Sequence, residues 1–302
     1  MDNVAKLDPI QQAAAPRRES SFLQTWRRNT TLAVNISLVV LIALILAVVF
    51  AEQITPIDPV SQSLMNRLSP PFGLNETGSW EFPLGTDALG RDVFSRILYG
   101  GRISLAIGGV ATLLGLALGT VLGLLGGYIG GWLDQFVMYL VDVQLSLPFL
   151  LLAVAVALVL GTSLTVLVGL AALATWPIYT RIVRAAVLSV RERDYVIAAQ
   201  AAGAGGFHIM VTHLFPSLVA PLLVLATLSV GRIILLEAGL SFLGIGIQPP
   251  TPSWGNMINE GRDYLASAWW LATMPGIALA LLTMAVGTIG DWLRDLADVT
   301  VS

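Results

Sequence analysis

The chain has 302 residues, of which 56% are hydrophobic and only 12% are charged. Its mean hydropathy of +0.79 is too high for a soluble domain of this length, and it predicts an integral membrane protein. The net charge of -3 provides no basic surface of the kind that binds nucleic acid, which excludes that class of partner.

Few residues in the chain can carry bond chemistry. The absence of cysteine excludes disulfides, thiolate metal sites and cysteine nucleophiles. His208 and His213 have no third metal ligand beside them in the sequence. Lys6 is the only lysine and lies near the amino terminus, so no phosphate-binding loop of the G-x-x-x-x-G-K-[ST] type exists. We therefore expect no catalytic residue, metal or cofactor in this chain, and if ATP drives it, another subunit binds the nucleotide.

Residues 1–31 carry basic side chains ahead of an apolar run at 32–50. That run is too long for the core of a signal peptide and is followed by a poor cleavage site, so it predicts a retained first transmembrane helix. Because basic residues near helix ends are retained in the cytoplasm, residues 1–31 are predicted to be a cytoplasmic segment.

Apolar runs of about 20 residues predict membrane-spanning helices, since backbone groups in lipid must be satisfied within the segment. Six such runs occur, at residues 32–50, 103–127, 136–160, 164–185, 218–243 and 269–289. With the amino terminus inside, ten basic residues fall in the cytoplasm and five outside. The sequence thus predicts an all-α membrane protein with both termini cytoplasmic. The remaining segments are an external cap at 51–102, an external segment at 244–268, a cytoplasmic loop at 186–217 and a cytoplasmic tail at 292–302.

Glycines recur at four-residue spacing in the second predicted span, at Gly115, Gly119 and Gly123. Small residues at this spacing let two helix backbones approach closely. We expect them to serve helix packing rather than to line a pathway.

Three ionisable residues fall within predicted spans, where a charge is costly and usually faces a cavity or a partner. Asp142 lies near a cytoplasmic helix end, and an ion pair with Arg181 or Arg184 is expected. Arg232 and Glu237 are five residues apart and so lie on different faces of one helix. All three are candidate pathway charges, and Arg232 is a candidate partner for a substrate carboxylate.

The cytoplasmic loop carries the sharpest pattern in the chain. Ala198 and Ala199 lie in an alanine-rich stretch that favours a short helix, and Gly203 and Gly205 can end that helix and turn the chain. The pattern predicts a short helix, a tight bend and a second short helix. A slim alanine face of this kind fits a groove on a partner, whereas the alternative is a hairpin that only joins two spans.

Two external segments also contain recognisable patterns. Thr86 or Asp87 is expected to cap a helix that begins near Ala88 and lies on the surface, with Arg91, Asp92 and Arg96 on its polar face and local ion pairs. Further along, a proline-rich loop that includes Pro250 has few backbone states and can hold Trp254 rigidly. Trp254 is interpreted as part of a gate or docking surface, or alternatively as an aromatic membrane anchor.

The loop resembles the cytoplasmic coupling loop of ATP-binding-cassette importer permeases of the dipeptide, oligopeptide and nickel group. That motif pairs two alanines with a glycine four residues later and a proline thirteen residues beyond, as at Ala198, Ala199, Gly203 and Pro216. Ile197 stands where the broader family often has glutamate. Further segments resembling the group are LGTDALGRDVFSR at 84–96, QPPTPSWGNM at 248–257, SAWW at 267–270 and GDWLRD at 290–295.

The resemblance implies a type I importer permease fold over residues 103–291, in a bacterial inner membrane. It implies that the loop, with Ala204 and Gly205, docks on an ATPase subunit. The implied partners are a second homologous permease, two ATP-binding subunits that hold ATP and Mg²⁺, and an external substrate-binding protein. Peptides are the favoured substrate, and nickel or a glutathione-like solute is an alternative. A secondary transporter that needs no ATPase is a further alternative, although the chain shows no clear internal repeat.

Overall fold

The computed structural model describes residues 32–72 and 80–301, with side chains described as far as residue 297. In these residues the regular elements are helical, and the one β-type pairing is an isolated bridge between Thr86 and Asp92. The predicted cytoplasmic segment 1–31 and part of the predicted external cap lie outside the described residues. The all-α prediction is confirmed for the described part of the chain.

The main helices are numbered here in chain order. They are α1 (Leu32–Val49), α2 (Val93–Ile129), α3 (Gly131–Ser146), α4 (Phe149–Leu160), α5 (Leu164–Val190), α6 (Asp194–Ala201), α7 (Phe215–Phe242), α8 (Trp254–Gly261) and α9 (Trp270–Val301). A helical turn at Gly206–Ile209 and a π-helical segment at Met210–Leu214 lead directly into α7. Helix α9 runs through most of the segment that the sequence predicted as a tail.

Five helical stretches are long and apolar enough to cross a membrane, and a sixth span is formed if α3 and α4 count together. These two helices are bent by 90° at their junction, so the prediction of one continuous helix over 136–160 is wrong. Leu147 has an extended backbone because Pro148 follows it, and a residue before proline is excluded from the helical region by steric clash.

Helix α2 begins ten residues before the predicted span, at Val93. Its cap is Asp92, whose carboxylate accepts hydrogen bonds from the backbone N–H groups of Phe94 and Ser95, so the predicted caps at Thr86 or Asp87 are wrong. At 1.5 Å per residue its 37 residues span about 56 Å, which exceeds the hydrocarbon thickness of about 30 Å. The helix therefore projects beyond the membrane core.

The glycines of α2 face α5, as the four-residue spacing predicted. A Cβ atom at Gly119 would lie 2.5 Å from the Cβ of Tyr179, and one at Gly123 would lie 2.7 Å from the Cβ of Val183. Gly115 makes the equivalent close approach to Thr175. Only glycine permits this separation of the two backbones, and the helix-packing prediction is confirmed.

Helix α9 packs against α1, α7 and α8 and completes the core on the other side of α2. Trp254 and Trp270 are buried in this region together with Leu282 of α9. A separate apolar cluster contains Val187 of α5 and Val196 of α6, and it anchors the loop between α5 and α7 to the long helices.

Candidate functional site

The loop between α5 and α7 bends at Gly203, which has a φ of +85°. The N–H of Gly203 donates to the carbonyl of Gln200 at 2.9 Å, and the N–H of Ala204 donates to the carbonyl of Ala199 at 3.1 Å. This pair of bonds is the Schellman motif that closes a helix with a left-handed residue. The predicted helix and bend are confirmed. The second short helix is the turn that begins at Gly206 and leads into α7.

Pro216 lies in the first turn of α7, directly after the π-helical segment. A proline has no N–H to donate, and its ring crowds the carbonyl of the preceding turn. The wider π-helical turn relieves that conflict. Pro216 therefore sets the backbone geometry at the point where the loop becomes a membrane helix.

The loop carries four apolar side chains that are exposed in the described part of the chain. Tyr195, Ile197 and Ala198 of α6 are exposed, and Phe207 after the bend is 77% exposed. We call these four residues the loop face. Val196, between them in sequence, points the other way and is fully buried. Helix α6 is thus anchored on one side by Val196 and carries exposed apolar side chains elsewhere.

The base of the loop is bonded to the end of α2. Arg191 donates a hydrogen bond from its guanidinium to the carbonyl of Gly127 at 2.9 Å. Gly206 lies against the ring of Tyr128, where a Cβ atom would be 3.0 Å from the ring. The base of the loop thus contacts α2 and is continuous with α5 and α7.

Two ion pairs join α3 to α5. Arg184 binds both carboxylate oxygens of Asp134, with 2.6 Å between its terminal nitrogen and Oδ2. Arg181 binds Oδ1 of Asp142 at 2.5 Å, and both of these side chains are about half exposed. The structure thus places Asp142 against Arg181, one of the two partners that the sequence suggested.

Glu237 is buried on the inner side of α7, with 1% of its surface exposed. Its carboxylate accepts hydrogen bonds from the hydroxyls of Ser104 at 3.1 Å and Ser241 at 2.7 Å. A buried carboxyl group that binds hydroxyls of two helices joins α7 to α2. These contacts place Glu237 within the helix packing.

Arg232 lies on the opposite, exposed side of the same helix. It forms no hydrogen bond or ion pair with any described residue. It is close enough to Tyr179 for an electrostatic interaction. An unpaired arginine on a membrane helix has to face water, a partner chain or a ligand.

Trp254 packs inside the protein, with 1% of its surface exposed. Its indole N–H donates to the carbonyl of Ile97 at 2.8 Å, and its ring lies against Gly101 of α2. The ring is therefore not available as a surface group in this structure. Pro250, in the loop before α8, is exposed.

A buried cluster of charges was not predicted from the sequence. Arg91 and Arg96, expected on the exposed face of a surface helix, are 4% and 1% exposed, so that expectation is wrong. Both guanidinium groups bind Asp87, with 2.6 Å between Arg91 Nε and Asp87 Oδ2. Both also bind Oε2 of Glu260, at 2.9 Å from Arg91 and 2.8 Å from Arg96. The charged residues at 87, 91 and 96 were a visible signal, but nothing near them in sequence indicated Glu260 of α8.

Known protein families match most of this chain. Residues 119–301, which contain the loop and its Schellman bend, match the family described as "Binding-protein-dependent transport system inner membrane component". The chain belongs to this family. Residues 22–71 match the family described as "N-terminal TM domain of oligopeptide transport permease C".

Relatives in this transport family cover nearly the whole chain. A "Di/tripeptide transport system permease protein DppC" of Pseudomonas aeruginosa is 41% identical over 99% of this chain and 97% of its own length. A "Dipeptide transport system permease protein DppC" of Escherichia coli K12 is 44% identical over 92% of this chain and 91% of its own. A protein of the same description from Alkalihalophilus pseudofirmus is 36% identical over 97% of this chain and 95% of its own length. The chain is thus a multi-pass inner-membrane component of a transport system.

Proposed function

We propose that this chain is a permease subunit of an ATP-driven importer and forms, with a second homologous permease, the translocation pathway for di- or oligopeptides. The observation that carries this proposal is the exposed loop face, held at a Schellman bend and bonded to the end of α2. The choice of peptide is supported by the identity of 41% over 99% of the chain with the di/tripeptide permease of P. aeruginosa.

The loop face is the surface that couples the chain to an ATPase. Two ATP-binding subunits hold ATP and Mg²⁺, and one of them receives α6 in a groove. The coupling residues are Ala198, Ala199, Gly203, Ala204, Gly205 and Pro216. Closure of the ATPase subunits moves the loop, and the bonds at its base carry that movement into the membrane helices. An external substrate-binding protein docks on the opposite side, where Pro250 is exposed.

The arginine count supports an orientation with both termini in the cytoplasm. Among the intramembrane charges, Arg232 is the proposed pathway residue because it alone has neither an ion pair nor a hydrogen bond in the described chain. It meets the carboxylate of a passing peptide. Asp142 and Glu237 already have partners and stabilise the helix packing instead.

Peptide uptake tests this proposal in cells that lack the gene, with and without the gene restored. A third arm carries Gly203→Arg. The matched control is Gly161→Arg, because Gly161 has a φ of +77° and, like Gly203, has no atom within 4 Å of a built Cβ. The two substitutions cause a similar backbone strain, but Gly161 lies between α4 and α5, away from the loop.

Restored uptake that is lost with Gly203→Arg and kept with Gly161→Arg, at equal abundance in the membrane, supports peptide import through a coupled loop. Peptide uptake that is independent of the gene would overturn the substrate and direct attention to nickel or another solute. Full uptake with Gly203→Arg would contradict coupling through the loop and favour a transporter without an ATPase.

A further inference from the structure

A cavity of about 310 Å³ lies between the segment that precedes α2 and helix α8. Its wall contains the four charged residues of the buried cluster, Asp87, Arg91, Arg96 and Glu260. Leu89, which also lines the cavity, is 38% exposed. The cavity lies at the end of α2 remote from the loop face, so it is separate from the coupling residues.

The two carboxylates in the wall differ in how many of their oxygens accept hydrogen bonds. Both oxygens of Asp87 are bonded, since Oδ1 accepts from the N–H groups of Leu89 and Arg91 while Oδ2 accepts from the two guanidinium groups. Glu260 receives both arginines on one oxygen, Oε2, and its other oxygen has no hydrogen bond to a described residue. In the same part of the chain, Nε and one terminal nitrogen of Arg96 are buried without a partner.

Such an arrangement leaves the arginine pair incompletely satisfied. Guanidinium groups bind carboxylates most strongly through parallel hydrogen bonds to both oxygens. A buried donor without an acceptor loses its hydration without compensation. A second carboxylate that approached through the cavity with two free oxygens would therefore satisfy the arginines better than the single oxygen of Glu260.

We infer that this cavity binds the carboxylate of a ligand, and that Glu260 occupies the carboxylate position while the ligand is absent. The inference rests on the proposed function, from which the ligand class follows. A small peptide presents one carboxylate at its carboxyl terminus. The cavity is then an external binding site that a peptide meets before it reaches Arg232.

Glu260 is the member of the cluster that a ligand can displace. Its side chain is 29% exposed, whereas those of Arg91, Arg96 and Asp87 are at most 7% exposed. It also belongs to α8, while the other three belong to residues 87–96. Displacement therefore breaks the ionic link between α8 and the start of α2, and peptide binding is coupled to release of α8.

A purely structural clamp would contain the same ion pairs, and the experiment has to separate the two roles. The complete transporter is reconstituted in lipid nanodiscs without its external binding protein. Labelled alanyl-alanine and its C-terminal amide are titrated against the natural complex and the Glu260→Gln variant. Glutamine keeps the length and an acceptor oxygen but removes one negative charge, so the wall changes from two positive and two negative groups to two positive and one negative.

We expect Glu260→Gln to strengthen binding of the free peptide by about 5-fold, because the competing negative charge of a partly exposed side chain is removed, and to leave binding of the amide unchanged. Since the expected result is a gain, misfolding cannot imitate it. The matched control is Glu52→Gln, which removes an acid paired with Arg102 at 2.8 Å, away from the cavity wall. We expect no change there.

Three results would overturn the inference: equal binding of peptide and amide, weaker binding of both to Glu260→Gln, or no peptide binding to either complex. Each of them leaves the proposed function intact if cellular peptide uptake still depends on the gene. Conversely, uptake that ignores the gene removes the proposed function whatever the nanodisc titration shows.

Discussion

The Cα of Gly119 lies so close to Tyr179 that an added Cβ would be 2.5 Å from the Tyr179 Cβ and 2.7 Å from the carbonyl oxygen of Trp176. Neither atom can move without moving the backbone of α5. We therefore expect Gly119→Ala to push α2 and α5 apart and to lower the free energy of unfolding by about 2 kcal/mol. The thermal unfolding temperature of the purified chain in detergent measures the effect.

Gly109→Ala is the matched control for this substitution. Gly109 lies on the same helix, and nothing is within 4 Å of a Cβ built on it. Alanine there gains about 0.5 to 1 kcal/mol of helix propensity without a clash. A similar loss of stability for both variants would show that the close contact with α5 is not what position 119 requires.

The two ion pairs between α3 and α5 differ in geometry, and this predicts different strengths. Arg184 binds both oxygens of Asp134, and these side chains are 30% and 18% exposed. Asp142 and Arg181 share one bond and are about half exposed. Double-mutant cycles with alanine should give a coupling energy of about 1 to 2 kcal/mol for the first pair and less than about 1 kcal/mol for the second. The reverse order would contradict the geometric argument.

Two substitutions of Glu237 test whether its carboxylate is a structural hydrogen-bond acceptor or an ion-binding group. Glu237→Gln keeps one oxygen that accepts from one of the two serine hydroxyls, and its amide N–H can donate to the other hydroxyl, so we expect uptake and abundance near those of the natural protein. Glu237→Leu leaves two buried hydroxyls without their acceptor and should cost about 2 kcal/mol of stability. Loss of uptake by Glu237→Gln at normal abundance would instead indicate that the charge itself takes part in transport.

Arg232 should affect transport more than stability. Because it has no ion pair to lose in the described chain, Arg232→Gln should leave abundance unchanged while reducing uptake of a free peptide about 10-fold, the effect of losing one charge-assisted bond. Arg232→Lys should retain part of the uptake. Unchanged uptake by Arg232→Gln would remove Arg232 from the pathway.

Arg262→Gln controls for the loss of a positive charge. Arg262 is exposed and interacts with its neighbour Asp263 at 3.3 Å, outside the predicted spans. We expect its replacement to change neither abundance nor uptake. An equal effect of both arginine substitutions would point to overall charge rather than to the position of Arg232.

Hydropathy and glycine spacing predicted much of this fold because those signals are local. Each single spanning helix contains an apolar run that was visible in the sequence, and Gly203 marked its own bend. The break at Pro148 also had a local signal, but the surrounding apolar residues suggested one helix. The early start of α2 was hidden because Arg96 and Arg102 interrupt the apolar pattern there.

Contacts between distant segments could not be predicted in this way. Glu260 binds Arg96 across 164 positions of sequence, and only the packing of α8 on the start of α2 brings them together. Trp254 gave a similar difficulty, since a tryptophan near a membrane boundary is equally suited to an exposed and a buried position. Which of the two occurs depends on Gly101 of α2, where the absence of a side chain leaves room for the ring.

Helix α2 runs from the buried charge cluster to the base of the loop. Its first turns carry Arg96 of the buried cluster, and near its last turn the carbonyl of Gly127 receives Arg191 from the base of the loop. Over a length of about 56 Å, a tilt of about 5° displaces one end by about 5 Å relative to the other. If α2 tilts as one rigid body, that displacement is larger than the donor–acceptor distance of any hydrogen bond in the charge cluster. A single tilt of α2 would then both break the ion pairs of the cluster and move the base of the loop.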